Sequence, residues 1–220
     1  MPKNFVTNTM DFIPHSDRND RRRTGRPLSF DRNAALEKAM LAFWAHGYET
    51  TSVGDLTRAM GITAPSLYTA FGDKRRLFLE AVRLYVGDMD AVASAIDAAA
   101  NSREAARTVL ERAAVAFTGD DTPRGCLLAS STATGSDAAA DVREAVAAYR
   151  RDLRDILEAR IERDKSDALL PSDVGAAALA DLVIAVMQGL SIMARDGADR
   201  DALRAVVWAA LNAWPAIRSE

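Results

Sequence analysis

Between Ser52 and Lys74 the chain carries a run of small polar side chains whose chemistry is hydrogen bonding rather than bond making. Ser52 opens one short apolar-periodic segment, and Thr63, Ala64, Pro65, Ser66, Tyr68 and Thr69 crowd the outward side of the next. Hydroxyls on a narrow helix approach phosphate oxygens and base edges closely, and Lys74 adds a point charge suited to a phosphate. Upstream, Arg21, Arg22, Arg23 and Arg26 form a cationic run. It reads equally as an arm that reaches phosphates or a minor groove and as a solvated tail. Catalytic chemistry finds no comparable constellation. His15 and His46 lack a Cys, His or carboxylate at metal-ligand spacing, and no glycine-rich phosphate loop or nucleophile elbow occurs. No catalytic residue, metal or cofactor is expected. Cys126 follows Pro123-Arg124-Gly125, so its thiol is either a redox-responsive group beside an arginine or a small buried apolar side chain.

The elements that must position these groups are helices. Asp31 caps a first one with Leu36, Ala39, Met40 and Phe43 on one face, and Gly47 ends it. Ser52 caps a second, with Asp55 as capping-box partner, apolar Val53, Leu56 and Met60, and Gly61 at its end. Thr63 caps a third, with Pro65 in its first turn and Leu67 and Phe71 facing inward. Gly72 ends it, and Asp73 opens a fourth expected to run to about Ala100. Longer helices follow: Ser102 to about Phe117, Ser136 to about Lys165, Pro171-Ser172-Asp173 to Arg195, and Asp199 to Trp214. The segment from Cys126 to Thr134 is short and ambiguous. No alternating strand pattern and no repeat period appears, so the fold class is all-α.

Composition bounds the class. The chain has 220 residues, 49% hydrophobic and 27% charged, as in an ordinary globular protein. One cysteine rules out an internal disulfide, and no signal-peptide core or membrane span is expected, because Asp181 and Gln188 interrupt the most apolar stretch. A cytoplasmic location follows. Residues 1–88 carry 13 basic against 10 acidic side chains, and residues 89–220 carry 15 against 21. A basic front and an acidic back suggest that only the front meets a polyanion. Lys accounts for only 4 of 28 basic residues, so the arginine content also reflects a general bias.

Two short helices joined by Gly61-Ile62-Thr63 have the construction of a helix-turn-helix, whose second helix enters the DNA major groove. From Asp31 to about Gly87 the chain resembles the DNA-binding domain of the tetracycline-repressor (TetR) family. The likeness rests on Ala42-Phe43, on Gly47-Tyr48-Glu49-Thr50-Thr51-Ser52-Val53, on Leu56 and Met60-Gly61-Ile62, and on Ser66 to Lys74 with Leu77-Phe78. It implies a helix-turn-helix domain over 28–87 and a helical ligand-binding and dimerisation domain over 88–220, while residues 1–27, polar and without period, read as a flexible Arg-rich arm. It also implies that Ser52, Tyr68 and Lys74 meet phosphates, that Thr63, Ala64, Pro65, Ser66 and Thr69 face bases, and that Arg22, Arg23 and Arg26 lie near the DNA. Ala70 stands where the family often has a bulky aromatic or His, and long hydrogen-bonding side chains are scarce on this helix. Methyl contacts, water and DNA shape therefore carry more of the sequence reading.

Of the last two helices, about 172–196 and 199–214, the first is apolar on nearly all sides and rich in small residues, and the second carries Leu203, Val206, Val207, Ala210, Leu211 and Trp214 on an apolar face. This suits a twofold dimer, with packing wholly inside the monomer as the alternative. The resemblance implies a repressor on a near-palindromic operator, with grooves about 34–36 Å apart, released by a small effector. Tyr149, Asp181, Met187, Gln188 and Trp208 are the candidate effector contacts, with core or interface packing as the alternative for each. The competing reading is a helical small-molecule-binding or protein-interaction dimer that does not engage DNA.

Overall fold

The computed structural model describes residues 30–130 and 139–217. The arginine run, His15 and the expected helix start at Ser136 lie outside the described residues. Ten helices and no strand occur among the described residues. The chain divides into two compact units that meet in sequence between Gly87 and Asp88.

The first unit holds α1 (Arg32–His46), α2 (Val53–Met60), α3 (Ala64–Phe71) and α4 (Lys74–Val86). Each start is set locally, by the side chains of Asp31, Ser52, Thr63 and Asp73 accepting first-turn N–H bonds. Their apolar faces close one core: Phe43, Trp44, Leu56, Leu67, Leu77 and Phe78 have no exposed surface. Phe43 meets Phe78 edge-on at 5.0 Å, and Trp44 meets Tyr85 at 4.9 Å, the arrangement that the ring quadrupoles favour. The α2–α3 turn depends on Gly61 at φ +70°, where a side chain would be strained. Ile62 N–H then reaches back to the Thr57 carbonyl at 3.1 Å and closes the end of α2.

The second unit holds α5 (Met89–Asp97), α6 (Ser102–Phe117), α7 (Leu127–Ser130), α8 (Ala140–Ser166), α9 (Ala176–Arg195) and α10 (Arg200–Asn212). The continuous helix expected from Asp73 to about Ala100 is thus two helices. Gly87 sits at φ +74°, which ends α4, and the Asp88 carboxylate accepts the N–H groups of Asp90 and Ala91 to start α5. α9 begins at Ala176, behind Gly175 and without a side-chain cap, rather than at Pro171 to Asp173. The buried centre includes Leu110, Leu127, Leu157, Ile161, Leu170 and Leu190.

Among the described residues, α9 is only partly enclosed. It packs against α6, α8 and α10, yet only 28% of its most apolar window is buried. With mean hydropathy 1.9 it is long and apolar enough to cross a membrane, so Asp181 and Gln188 do not by themselves exclude a span. Asp181 is instead engaged laterally: its carboxylate accepts from Arg154 Nε of α8 at 2.8 Å, and the same guanidinium donates to Asp155 and Glu158. Cys126 is buried, and its N–H donates to Ser191 Oγ of α9 at 2.8 Å.

Candidate nucleic-acid interface

α3 is eight residues long, too short to persist without tertiary support. Its inner face is held by Leu67 and Phe71, both buried. The opposite face presents Thr63, Pro65, Tyr68 and Thr69 as exposed residues, with Ala64 and Ser66 half-buried. Tyr68 is the large side chain of this face, 50% exposed.

Most of the hydroxyls here have partners within their own helix. Thr63 and Ser66 lie Oγ to Oγ at 2.9 Å, and Thr63 accepts the Ser66 N–H. Thr69 Oγ1 donates to the Pro65 carbonyl at 2.8 Å, which commits its proton to the helix while its oxygen can still accept. This face offers acceptor oxygens and a phenol with few extended donors. That chemistry suits methyl and water-mediated contacts better than bidentate base reading.

Ser52 is also engaged. Its hydroxyl and its N–H both donate to Asp55 Oδ2, at 2.6 and 3.0 Å, and its oxygen accepts the Asp55 N–H. These bonds, with Arg58 alongside, lower the Asp55 pKa to about 2. A phosphate at Ser52 must compete with this carboxylate for the same two donors. The depressed value gives a sign: the capping contact is complete above about pH 3.8, the ordinary Asp value, and is lost as pH falls through about 2. Carboxyl NMR titration is expected to show Asp55 as an unusually acidic group, and Ser52→Ala to return it toward 3.8. An unmoved midpoint in that variant would remove Ser52 as the cause.

Lys74 opens α4. Its ammonium donates to the Glu49 carbonyl at 3.3 Å and stands 4.6 Å over the Tyr48 ring. Partial burial pushes its pKa below the usual lysine value, against the opposing pull of Glu49. The lysine thus pins the loop after α1 while retaining two further N–H donors. Tyr48 stands in the sequence only as part of the family motif and not as a candidate contact, because its relation to Lys74 exists only after α1 and α4 pack.

The candidate effector residues differ in exposure. Tyr149, Met187 and Gln188 are half-buried, Asp181 is exposed, and Trp208 is 70% exposed. One cavity of about 390 Å³ is lined by Asn101, Arg103, Glu104, Leu211, Asn212 and Trp214, among others. Another, of about 410 Å³, lies between α5 and α8 beside Ser94, Asp97, Arg160 and Arg163. Neither includes any of the five.

Residues 35–81 match the family described as bacterial regulatory proteins, tetR family, and residues 102–210 match the tetracyclin repressor-like C-terminal domain. The HTH-type transcriptional repressor ComR of Escherichia coli (strain K12) is 36% identical over 197 residues, covering 87% of this chain and 92% of ComR. The chain belongs to the TetR family. It is accordingly a TetR-type transcriptional regulator with an N-terminal helix-turn-helix and a helical C-terminal domain. The HTH-type transcriptional repressor BdcR, also of E. coli K12, is 31% identical over 79% of this chain and 83% of its own length. Among solved structures, a cysteine-substituted variant of the TetR regulator CifR, complexed with 26-base-pair double-strand operator DNA, superposes with a TM-score of 0.81. It is 40% identical, over 87% of this chain and all of that one.

Proposed function

We propose that this TetR-family protein is a homodimeric, effector-responsive repressor that binds a near-palindromic operator through α3 and acts by binding rather than catalysis. The observation that carries the reading is the outward face of α3, Thr63 to Thr69 with exposed Tyr68, seated on a buried Leu67–Phe71 underside. The similarity to CifR, solved on operator DNA, supports it. Ser52, Tyr68 and Lys74 serve as phosphate contacts, and Thr63, Ala64, Pro65, Ser66 and Thr69 meet base edges. Arg22, Arg23 and Arg26 add charge from the N-terminal arm. The location is the cytoplasm, where the DNA is.

Pairing through α9 and α10 accounts for their exposed apolar stripe. Ala178, Ala185, Gly189 and Ile192 recur at helical spacing on the open side of α9, and Ala205, Trp208 and Ala209 on α10. Ile192 is 60% exposed and Trp208 70%. Small residues let two helices approach closely, while large ones supply the buried area. An effector, contacted by residues such as Tyr149, Met187 and Gln188, then acts by binding the DNA-incompetent state more tightly, since equal affinity shifts nothing.

Gel shift of the full-length protein against DNA upstream of its own gene, at stated salt, tests the reading. A specific shift is expected; its absence, with a dimer still present, favours a small-molecule-binding or protein-interaction dimer. Lys74→Ala is expected to weaken binding to all sequences and reduce the slope of log affinity against log salt by about one. Tyr68→Phe loses only a neutral hydroxyl, so it weakens binding with the slope unchanged. Equal slopes in wild type and Lys74→Ala would remove the lysine from the phosphate contacts.

A further inference from the structure

The fully buried anchors of α3, Leu67 and Phe71, lie on a single line along the helix, which by itself resists rotation about that line least. Arg32, in the first turn of α1, supplies a third point. Its Nε and Nη2 both donate to the Ala70 carbonyl at 3.3 Å, across 38 residues of sequence. Nη2 also donates to both carboxylate oxygens of Glu80 on α4, at 2.9 and 2.7 Å. The guanidinium carbon lies 4.3 Å over the centre of the Phe71 ring. One planar cation therefore touches α1, the last turn of α3 and α4 together.

Each contact has a physical reason. Ala70 O belongs to the last carbonyls of α3, which lack intrahelical partners and carry the negative end of the helix dipole. A guanidinium satisfies such an oxygen and a carboxylate at once because its donors are fixed in a plane; a lysine ammonium cannot reproduce that fork. The side chain is 36% exposed and its carboxylate partner 29%.

We propose that Arg32 is a positioning residue for operator recognition: with Glu80 it fixes the tilt of α3, without itself holding DNA. This rests on the proposed DNA-binding function. The electrostatic sign separates the roles. Removing Glu80's negative charge should by itself raise affinity for any DNA, whereas loosening α3 should lower affinity for the operator.

The test compares wild type, Arg32→Gln, Arg32→Lys, Glu80→Gln and the Arg32→Gln/Glu80→Gln double variant. Thermal melts accompany measurement of operator and random-sequence DNA affinity across salt. Arg32→Gln and Glu80→Gln are each expected to lose about tenfold in operator affinity, as for one charge-assisted hydrogen bond. Affinity for random DNA should follow only the charge removed, rising in Glu80→Gln and falling in Arg32→Gln by less than about twofold. The salt slope should stay as in wild type, and the double variant should be no worse than the poorer single. Arg32→Lys should retain the fold and still lose operator preference; together with Glu80→Gln it carries the test should Arg32→Gln melt. Operator binding in Glu80→Gln equal to or better than wild type overturns the proposal. So does a parallel loss on operator and random DNA in Arg32→Gln with the slope reduced by about one, which would make Arg32 a phosphate contact. A loss that follows the unfolded fraction also overturns it. Absence of operator preference in the wild type would sink the function itself and is seen before any variant is made.

Discussion

Replacing Asp164 with alanine is expected to destabilise the second unit by about 3–5 kcal/mol, the usual consequence of stripping the partner from a buried charge. Asp164 has no exposed surface and Arg160 is 6% exposed. One carboxylate oxygen accepts from Arg160 Nη1, and the other accepts the Ser102 N–H at 2.6 Å. Arg160 Nη2 donates in turn to the Ala99 carbonyl at 3.0 Å. The pair therefore ties the α5–α6 connection and the start of α6 to the C-terminal part of α8. Without the carboxylate, a buried guanidinium stands uncompensated and the α6 N-terminus loses an acceptor. Against a total stability of roughly 5–15 kcal/mol for a typical domain, that loss is large. Urea or thermal unfolding of Asp164→Ala measures it. The double change Arg160→Met with Asp164→Leu should recover most of the loss, because removing both charges removes the desolvation cost as well. A loss below about 1 kcal/mol in Asp164→Ala would mean that water or relaxation compensates the arginine.

On the proposed pairing through α9 and α10, Trp208→Glu is expected to yield monomers at concentrations where the wild type is a dimer. An indole 70% exposed on a helix that also presents Ala205 and Ala209 is well placed as an interface anchor. Truncating such an anchor commonly weakens association by about 2 kcal/mol or more, and a carboxylate adds desolvation and like-charge repulsion across a twofold axis. Sedimentation of the variant should show a dissociation constant raised at least about thirtyfold. Operator affinity should fall with it, because two half-sites are no longer engaged together. A dimer as stable as wild type would place the pairing surface elsewhere. Ile192→Asp, on the open side of α9, tests the neighbouring stripe independently.

The local design of the fold was legible in the chain itself. Asp31, Ser52, Thr63, Asp73 and Asp199 all act as N-caps through their side chains, because a cap is satisfied within one turn and needs no distant partner. The split between α4 and α5 was equally present as a signal: Gly87-Asp88 repeats the Gly72-Asp73 pairing of a helix stop with a new cap. The expected helix from Asp73 to about Ala100 ran through that signal. The inner line of α3, Leu67 and Phe71, followed from spacing alone and is buried as expected. For the candidate effector residues, spacing marked polar groups on apolar helices, and two of them instead lie open: Asp181 beside Arg154, Trp208 on the bare side of α10.

By itself the sequence determined the all-α class, the helix-turn-helix and the polar outward face of α3, since periodicity, caps and turn glycines act over a few residues. Only tertiary structure decided what those polar groups are bound to. Lys74 over Tyr48, Arg32 on Ala70 and Glu80, and Asp164 with Arg160 and Ser102 bring together, in whole or in part, residues far apart in the chain. No local pattern encodes such meetings; they exist because buried charges and helix-end carbonyls must find partners once water has been excluded.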